Sequence, residues 1–259
     1  MRNILLRLAY DGTNYHGFQR QPAIHGRTIQ GELERVWKKL FAEEIKIITA
    51  GRTDTGVHAA GQVVNFFTKA RIPYNKIPKA MNSILPDDIR ILEAQVVSEE
   101  FNARKNAKWK RYDYRIDNSP IPDVFSRLYA LHEPLPLNIE NMQKAASYME
   151  GRHDFRAFAA AGSSARSFVR TLYRCKVSQQ NKQILVTCIG DGFLYNMVRI
   201  IAGTLIYVGK GKIQPEEIPE IIKSKDRVRA GITAAAKGLT LTYVSYDDSE
   251  PADIFPDTL

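Results

Sequence analysis

Cysteines, metal-ligand spacings and long apolar runs are scarce in this sequence. Its 259 residues include only two cysteines, Cys175 and Cys188, which have no Cys-x-x-Cys spacing and no nearby histidine pair. Such usage predicts two buried, reduced thiols in a cytosolic compartment. No apolar run approaches the ~20 residues that a membrane-spanning helix needs, and residues 1–7 are too short and too charged for a secretion signal. We therefore expect a cytoplasmic protein with no membrane partner.

Motifs that bind nucleotides and metals are also missing. The five histidines show no ligand spacing such as His-x-x-x-His. Residues 208–212 are rich in glycine, but they follow a helical pattern and lack the Lys-Ser or Lys-Thr pair of a phosphate-binding loop, so they fit the end of a helix better. There is no Gly-x-Ser-x-Gly nucleophile motif and no paired-aspartate metal motif. We therefore expect no nucleotide cofactor and no catalytic metal.

Positive charge, in contrast, is in excess. The 37 Lys and Arg residues against 28 Asp and Glu give a formal net charge of +9. That excess favours a polyanionic partner, with nucleic acid first. The alternative is a merely soluble basic protein, which charge alone does not exclude. A hydrophobic content of 44% and a charged content of 25% are typical of a folded globular chain.

Hydrophobic periodicity predicts two α/β halves of similar plan. In residues 1–105 the order is β-α-β-β-α-β, which is typical of a ferredoxin-like unit. Its elements are predicted at residues 4–10, 28–43, 45–49, 62–68, 73–85 and 89–97. Residues 106–246 repeat this plan, with elements predicted at 107–117, 139–149, 172–178, 183–189, 197–209, 216–223 and 239–246. Residues 247–259 are predicted to form a surface tail.

The best candidate site is the segment at residues 50–62. It connects two predicted strands but is longer than the roughly two to five residues of a common hairpin turn. It carries Arg52, Asp54 and His58 among glycines and threonines. Loops braced by rigid strands often carry chemistry, and Asp54 is the best candidate carboxylate. The alternative is a structural loop in which Asp54 closes an Asx-turn.

Residues from the second half could accompany Asp54. Tyr112 alternates with charged residues on a predicted strand, Arg199 lies near the edge of the buried face of a predicted helix, and Leu239 begins the last strand. A partly buried arginine requires an anion, and an aspartate would serve. The alternatives are a core tyrosine, a surface arginine and plain core packing.

A segment rich in arginine also belongs to the second half. Residues 153–170 alternate arginines with phenylalanines. That pattern suits phosphate and base contacts in RNA. The alternative is a partly packed loop with a solvated basic face.

Motifs along most of the chain resemble those of the tRNA pseudouridine synthase A family. The longest is Ala50-Gly51-Arg52-Thr53-Asp54-Thr55-Gly56-Val57-His58-Ala59. The others are Tyr10-Asp11-Gly12, Phe18-Gln19-Arg20-Gln21, Thr28-Ile29-Gln30-Gly31-Glu32-Leu33, Phe101-Asn102-Ala103-Arg104, Arg111-Tyr112-x-Tyr114, Asn196-Met197-Val198-Arg199 and Gly238-Leu239. The resemblance implies an α+β pseudouridine synthase fold, with two ferredoxin-like βαββαβ halves joined through one antiparallel sheet.

The resemblance also implies a role for each candidate residue. Asp54 matches the catalytic nucleophile of the family. Tyr112 matches the tyrosine that stacks on the target uracil, and Arg199 matches the arginine that pairs with the catalytic aspartate. Leu239 matches an apolar residue of the base pocket, and Arg52 falls where it can help to displace or hold a flipped nucleotide.

The implied reaction is the isomerisation of uridines 38 to 40 in the anticodon stem-loop of tRNA, after base flipping and without a cofactor. The family also implies a homodimer whose protomers share the RNA-binding cleft. Two stretches depart from the family pattern. Thr55 stands where alanine is more frequent, and residues 160–167 are a weak match.

Two other classes of protein compete with this interpretation. One is a non-catalytic RNA-binding module on ferredoxin-like units, such as a tRNA chaperone, but the aromatic signature of such modules is missing. The other is a hydrolase with an aspartate nucleophile, which would usually require a metal site close to the aspartate. An isomerase that needs neither metal nor nucleotide agrees better with the missing motifs.

Overall fold

The computed structural model of the chain describes residues 1–21, 26–162 and 165–248. They form two compact units. The first unit contains Met1–Ala107 together with Thr240–Tyr246, and the second contains Lys108–Leu239. The sequence-based division placed residues 240–246 in the second half, whereas they lie with the first unit. Of the predicted tail at 247–259, residues 249–259 lie outside the described part of the chain.

The described residues form ten strands and five α-helices. The strands are β1 (Arg2–Tyr10), β2 (Ile48–Thr49), β3 (His58–Thr68), β4 (Ile89–Val97), β5 (Trp109–Asp117), β6 (Leu131–His132), β7 (Gly151–Asp154), β8 (Val169–Gln180), β9 (Gln183–Gly190) and β10 (Leu239–Ser245). The α-helices are α1 (Ile29–Phe41), α2 (Ile77–Asn82), α3 (Ile139–Ser147), α4 (Met197–Gly209) and α5 (Ile218–Ser224).

The first unit contains the predicted β-α-β-β-α-β order. Its central strand, β1, pairs antiparallel with both β3 and β4, and β2 pairs antiparallel with β3. β10 also pairs with β3, but in parallel, through Thr240 opposite His58 and Leu241 opposite Ala59. The expectation of a purely antiparallel sheet is therefore wrong, because the chain returns to β3 from a distant segment in the same direction as β3.

Helix α1 shows why the amphipathic pattern predicted the first helix well. The Thr28 side chain caps its N-terminus by accepting a hydrogen bond from the Gly31 amide at 3.2 Å. Its apolar stripe is buried, and the Trp37 ring meets Phe66 of β3 edge-on, with 4.7 Å between ring centroids. Ala42 in the left-handed conformation ends the helix.

The boundaries of β2 and β3 differ most from the prediction. β2 is reduced to Ile48–Thr49, and β3 begins at His58 instead of residue 62. The four extra residues of β3 contain little apolar alternation, but they are paired from both sides, since Ala59 faces both Tyr10 of β1 and Leu241 of β10. The connection between β2 and β3 therefore shortens to residues 50–57, which we call the Asp54 loop.

Five strands of the second unit pair with one another. β9 pairs antiparallel with β5 and β8, and β8 pairs antiparallel with β7, whereas the short β6 pairs in parallel with β5. α3 packs on β8 and on α4. α4 is buried over most of its length and ends at Gly209, as predicted. Together the two units show an α+β fold whose strand pairing is mixed.

Within the described ranges, no helix combines the length and the apolar character that crossing a membrane requires.

Candidate active site

The Asp54 loop presents its residues at different depths. Thr53 is 6% exposed, Asp54 is half-buried, and Arg52 and Thr55 are exposed. The amide of Val57 donates to the backbone carbonyl of Asp54 at 3.1 Å, so a main-chain hydrogen bond closes the turn. Asp54 therefore lies at the surface of a loop whose preceding residue is anchored in the interior.

The segment at residues 11–18, which follows β1, holds this loop through its backbone. The amide of Phe18 donates to the carbonyl of Thr53 at 3.0 Å, and the amide of Gly56 donates to the carbonyl of Tyr15 at 3.3 Å. At Gly12 a Cβ atom would lie 2.0 Å from the carbonyl oxygen of Val57. Only glycine fits at this position, because the two backbones are in direct contact.

A buried hydrogen-bond network lies beneath the loop. The Tyr10 hydroxyl is 2.7 Å from Thr53 Oγ1. The Gln62 amide nitrogen lies 3.3 Å from the Tyr10 hydroxyl and donates to the Gly51 carbonyl at 2.8 Å. Burial raises the pKa of Tyr10 to about 12, although its hydrogen bonds to Thr53 and Gln62 lower it in part. The tyrosine therefore stays protonated throughout the physiological range.

His58 ties the start of β3 to the segment that follows β1. Its Nδ1 atom lies 3.0 Å from the Gly12 amide nitrogen and 3.1 Å from Asp11 Oδ1. A protonated Nδ1 donates to Asp11, and an unprotonated Nδ1 accepts from Gly12. His58 is 4% exposed, so this histidine of the sequence motif supports the loop from within.

Sequence reasoning missed the network of Tyr10, Thr53 and Gln62 as a functional feature. The sequence places Tyr10 and Thr53 in motifs of the family, and it places Gln62 at the start of a predicted strand. The available signal was three polar residues, one at the end of β1, one beside Asp54 and one within the largely apolar β3. Their partners lie 43 and 52 residues apart along the chain, a separation that local periodicity does not report.

Tyr112 lies in the second unit, in the middle of β5. It is 8% exposed, and its ring meets Phe193 edge-on with 5.0 Å between centroids. On the other face of the strand, the buried carboxylate of Asp113 accepts hydrogen bonds from Arg111 at 3.0 Å and from Thr187 at 2.8 Å. The predicted alternation of aromatic and charged faces is therefore present. On the charged face, Asp113 is paired with Arg111.

Arg199 is half-buried on the first turn of α4, as its position at the edge of the apolar face predicted. Its Nε donates to the carbonyl of Ala234 at 2.7 Å, and its Nη1 donates to Asn196 Oδ1 at 2.8 Å. The Tyr114 hydroxyl donates to the next carbonyl, that of Ala235, at 2.8 Å. Arg199 is thus held in one orientation from two sides.

Leu239 is 6% exposed at the start of β10. The segment that leads to it is the one fixed by Arg199 through Ala234 and by Tyr114 through Ala235. The second unit therefore connects Arg199 with the chain that positions Leu239. Asp54 and Arg52 belong to the first unit, and Tyr112, Arg199 and Leu239 belong to the second.

The arginine-rich segment at residues 153–170 differs from the expected row of base-stacking aromatics. Phe155 and Phe158 are fully buried, so they are core residues and cannot stack on a base. Arg156 lies over the Phe168 ring at 4.9 Å from its centroid and 3.6 Å from Asp154 Oδ2. Arg152 is exposed. Residues 163 and 164 lie outside the described residues.

In the part of the chain that the structure describes, no group of three or more His, Cys, Asp or Glu side chains could hold a metal ion.

Known proteins resemble this chain over most of its length. A profile of the family described as tRNA pseudouridine synthase matches residues 8–104 and 145–247. The tRNA pseudouridine synthase A of Moorella thermoacetica is 51% identical over 241 residues, which cover 93% of this chain and 98% of the relative. The tRNA pseudouridine synthase A of a Thermoanaerobacter species is 50% identical over 246 residues, which cover 95% of this chain and 100% of the relative.

A solved structure resembles the chain more distantly. The crystal structure of a Cbf5-Nop10-Gar1 complex matches with 14% identity and a TM-score of 0.37, over 94% of this chain and 58% of that chain. A score this low carries no argument about fold or function.

The family match identifies the mixed α+β fold as a pseudouridine synthase fold. The chain belongs to the tRNA pseudouridine synthase A family, whose enzymes are isomerases. The expected family, activity and enzyme class are thereby confirmed.

Proposed function

We propose that this isomerase acts on uridines 38 to 40 of the tRNA anticodon stem-loop, with Asp54 as its nucleophile. Tyr112 stacks on the target uracil, Arg199 pairs with the catalytic aspartate, Leu239 lines the base pocket and Arg52 holds the flipped nucleotide. Each unit is a ferredoxin-like half of the fold. The functional protein is a homodimer in the cytoplasm.

The rigidity of the Asp54 loop is the observation that carries the proposal. A nucleophile must be held within a fraction of an ångström of its productive position, since a misplacement of about 1 Å can reduce the rate about a hundredfold. Asp54 is half-buried and directly follows Thr53, which is fixed by its side chain and by its carbonyl. A loop that served only to connect β2 and β3 would not need this bracing.

The reaction is balanced within one nucleotide. The C1′–N1 glycosidic bond breaks, the uracil turns, and a C1′–C5 bond forms. C5 loses its proton and N1 gains one, so the net change needs neither a co-substrate nor a redox cofactor. Asp54 can serve as a nucleophile at C1′ or at C6 of the base, and both routes require its ionised carboxylate.

The target base must leave its stack before it can react, which costs a few kcal/mol. Stacking on Tyr112 offsets this cost, since stacking between a base and an aromatic ring contributes about 1–3 kcal/mol. The Phe193 ring fixes the plane of Tyr112, so little side-chain entropy is lost when the base arrives. The guanidinium of Arg199, held by Ala234 and Asn196, is likewise oriented in advance for an anion.

One assay separates this function from its rivals. Unmodified tRNA is incubated with the protein in the presence of a chelator and without any nucleotide, and pseudouridine is mapped along the tRNA. We expect pseudouridine at positions 38 to 40. A non-catalytic RNA-binding module would produce none, and a hydrolase that depends on a metal would release no product under chelation. Pseudouridine at other positions would contradict the proposed specificity.

The nucleophile is tested by Asp54→Asn, which keeps the size of the side chain but removes its charge. We expect isomerisation to be lost and tRNA binding to remain nearly unchanged, because the amide can neither attack nor leave as a carboxylate does. Asp113→Asn is the matched control, because this buried carboxylate is paired with Arg111 and Thr187 and has no proposed role in the chemistry. Pseudouridine formation by Asp54→Asn would refute the assignment.

A further inference from the structure

We propose that the Tyr10 hydroxyl is a positioning group for Asp54, which it holds in place through the hydroxyl of Thr53. This role supports the rate of isomerisation rather than the affinity for tRNA. The proposal rests on Asp54 being the nucleophile.

Three buried side chains from different parts of the first unit form a hydrogen-bond network. Tyr10 ends β1, Thr53 precedes Asp54 on its loop, and Gln62 lies within β3. They are 4%, 6% and 0% exposed. The hydroxyls of Tyr10 and Thr53 are 2.7 Å apart. Buried polar groups of this kind are costly unless they are hydrogen-bonded, so the three side chains are held in one arrangement.

The Gln62 side chain links the two hydroxyls to the backbone of the Asp54 loop. The amide nitrogen of Gln62 can only donate, and it lies 3.3 Å from the Tyr10 oxygen. The Tyr10 oxygen accepts this bond, and either hydroxyl can donate in the hydrogen bond between Tyr10 and Thr53. The same Gln62 amide donates to the Gly51 carbonyl. The network therefore fixes the loop at two points that precede Asp54.

The backbone completes the restraint on Asp54. The Thr53 carbonyl accepts from the Phe18 amide at 3.0 Å, and the Asp54 carbonyl accepts from the Val57 amide at 3.1 Å. Peptide planes on both sides of the Asp54 Cα atom are therefore held, and the carboxylate retains mainly the rotations of its own side chain. A shift of Thr53 would move the Cα atom of Asp54 directly.

Tyr10 is suited to a permanent hydrogen-bonding role. Burial raises its pKa to about 12, so the hydroxyl keeps its proton wherever the enzyme works. A raised pKa means that this contribution to stability is fully present below pH 10, which is the ordinary tyrosine pKa, and is lost as the pH rises towards 12. The positioning effect should therefore show no titration between pH 6 and pH 9.

Tyr246 provides a matched control. Its hydroxyl donates to the Ala103 carbonyl at 2.8 Å and its ring packs on Phe101. Its pKa is also raised by burial. Removal of this hydroxyl costs a comparable hydrogen bond in the same unit, but it does not touch the Asp54 loop.

The experiment compares Tyr10→Phe, Thr53→Val, their double variant, Thr53→Ser and Tyr246→Phe. For each we measure kcat and KM on unmodified tRNA between pH 6 and pH 9, and the thermal unfolding midpoint. We expect Tyr10→Phe and Thr53→Val each to lower kcat roughly 10- to 100-fold, with KM within about twofold and no new step in the pH profile. The double variant should be no slower than the worse single variant, since both remove the same contact.

Thr53→Ser, which keeps the hydroxyl, should restore most of the rate lost in Thr53→Val. Tyr246→Phe should lower the unfolding midpoint without the fall in kcat. If Tyr10→Phe does not fold, the difference in kcat between Thr53→Val and Thr53→Ser tests the positioning role in its place.

Several outcomes would overturn the proposal. One is a kcat of Tyr10→Phe equal to that of Tyr246→Phe, and another is a loss that appears only in KM. Fully additive losses in the double variant would also refute a shared contact. An inactive Asp54→Asn together with a native rate for Tyr10→Phe would defeat the positioning role alone, whereas an active Asp54→Asn would defeat the proposed nucleophile itself.

Discussion

At the scale of single residues, the close approach of two backbones shapes the site. Gly12 lies against the carbonyl of Val57, and Gly17 has a φ of 83° and lies against the carbonyl of Thr53. Both glycines belong to the segment that braces the Asp54 loop. Each is required there for a different physical reason. The first leaves no room for a side chain, and the second also adopts a left-handed backbone.

The substitution Gly12→Ala tests this contact. Its Cβ atom would lie 2.0 Å from the Val57 carbonyl oxygen, so the Asp54 loop must move. We expect a loss of about 1–3 kcal/mol in the free energy of unfolding, together with a large fall in kcat. Urea unfolding and the isomerisation assay measure the two effects.

Gly211→Ala serves as its control, because this glycine has a φ of 70° and a Cβ atom added there would meet no other atom within 4 Å. Its alanine should cost only backbone strain, about 1–2 kcal/mol, and leave kcat unchanged. Equal effects of both variants on kcat would contradict the role of the backbone contact.

At the scale of elements, helix α4 organises the second unit. It carries Arg199, and its Thr204 side chain accepts a hydrogen bond from the Gly231 amide at 2.8 Å while donating to the Ile200 carbonyl at 2.8 Å. Arg199 and Thr204 together fix the segment that leads from Gly231 through Ala234 to Leu239. The helix thus positions part of the candidate site through the hydrogen bonds of Arg199 and Thr204.

The substitution Thr204→Val tests this arrangement because it removes the hydroxyl while keeping the shape. The buried Gly231 amide would lose its acceptor, and an unsatisfied buried group costs about 1–3 kcal/mol. We expect urea unfolding to show a loss of that size. Thr204→Ser keeps the hydroxyl and should be the more stable of the two variants; the opposite order would mean that the methyl group matters more than the hydrogen bond.

At the scale of the whole molecule, charge is the property most relevant to the proposed substrate. The net charge of +9 belongs to a chain whose proposed partner is a polyanion. Many of its exposed cations have nearby carboxylates, such as Arg35 with Glu32 and Lys38 with Glu44. The cations beyond such pairs supply the excess that can release counterions from tRNA.

Salt dependence of tRNA binding follows from this excess. A protein with about 6–10 phosphate contacts on duplex DNA loses roughly 10³–10⁵ in affinity between 50 and 200 mM salt. We expect a smaller but steep loss here, of about tenfold or more, because single-stranded regions give a lower slope. Filter binding or fluorescence anisotropy with Asp54→Asn separates binding from turnover. An affinity independent of salt would argue against a phosphate-dominated interface.

Much of the fold could be predicted from local pattern. β4 was predicted with the same bounds that the structure shows, and α4 with its end at Gly209. Helix α1 follows its apolar stripe and its Thr28 cap. These predictions succeeded because burial repeats at the period of the element itself. Sequence motifs also pointed to the family, and the family match confirmed it.

What only the tertiary structure decided depends on partners far apart in the chain. The extra residues of β3, the parallel pairing of β10 with β3, and the burial of Phe155 and Phe158 are all of this kind. So is the contact between Tyr10 and Thr53 beneath the Asp54 loop. The sequence by itself predicts Asp54 and its loop as the candidate site, because they form a contiguous motif. The fold decided what holds that carboxylate in place, because the groups that hold it come together only when distant strands pair.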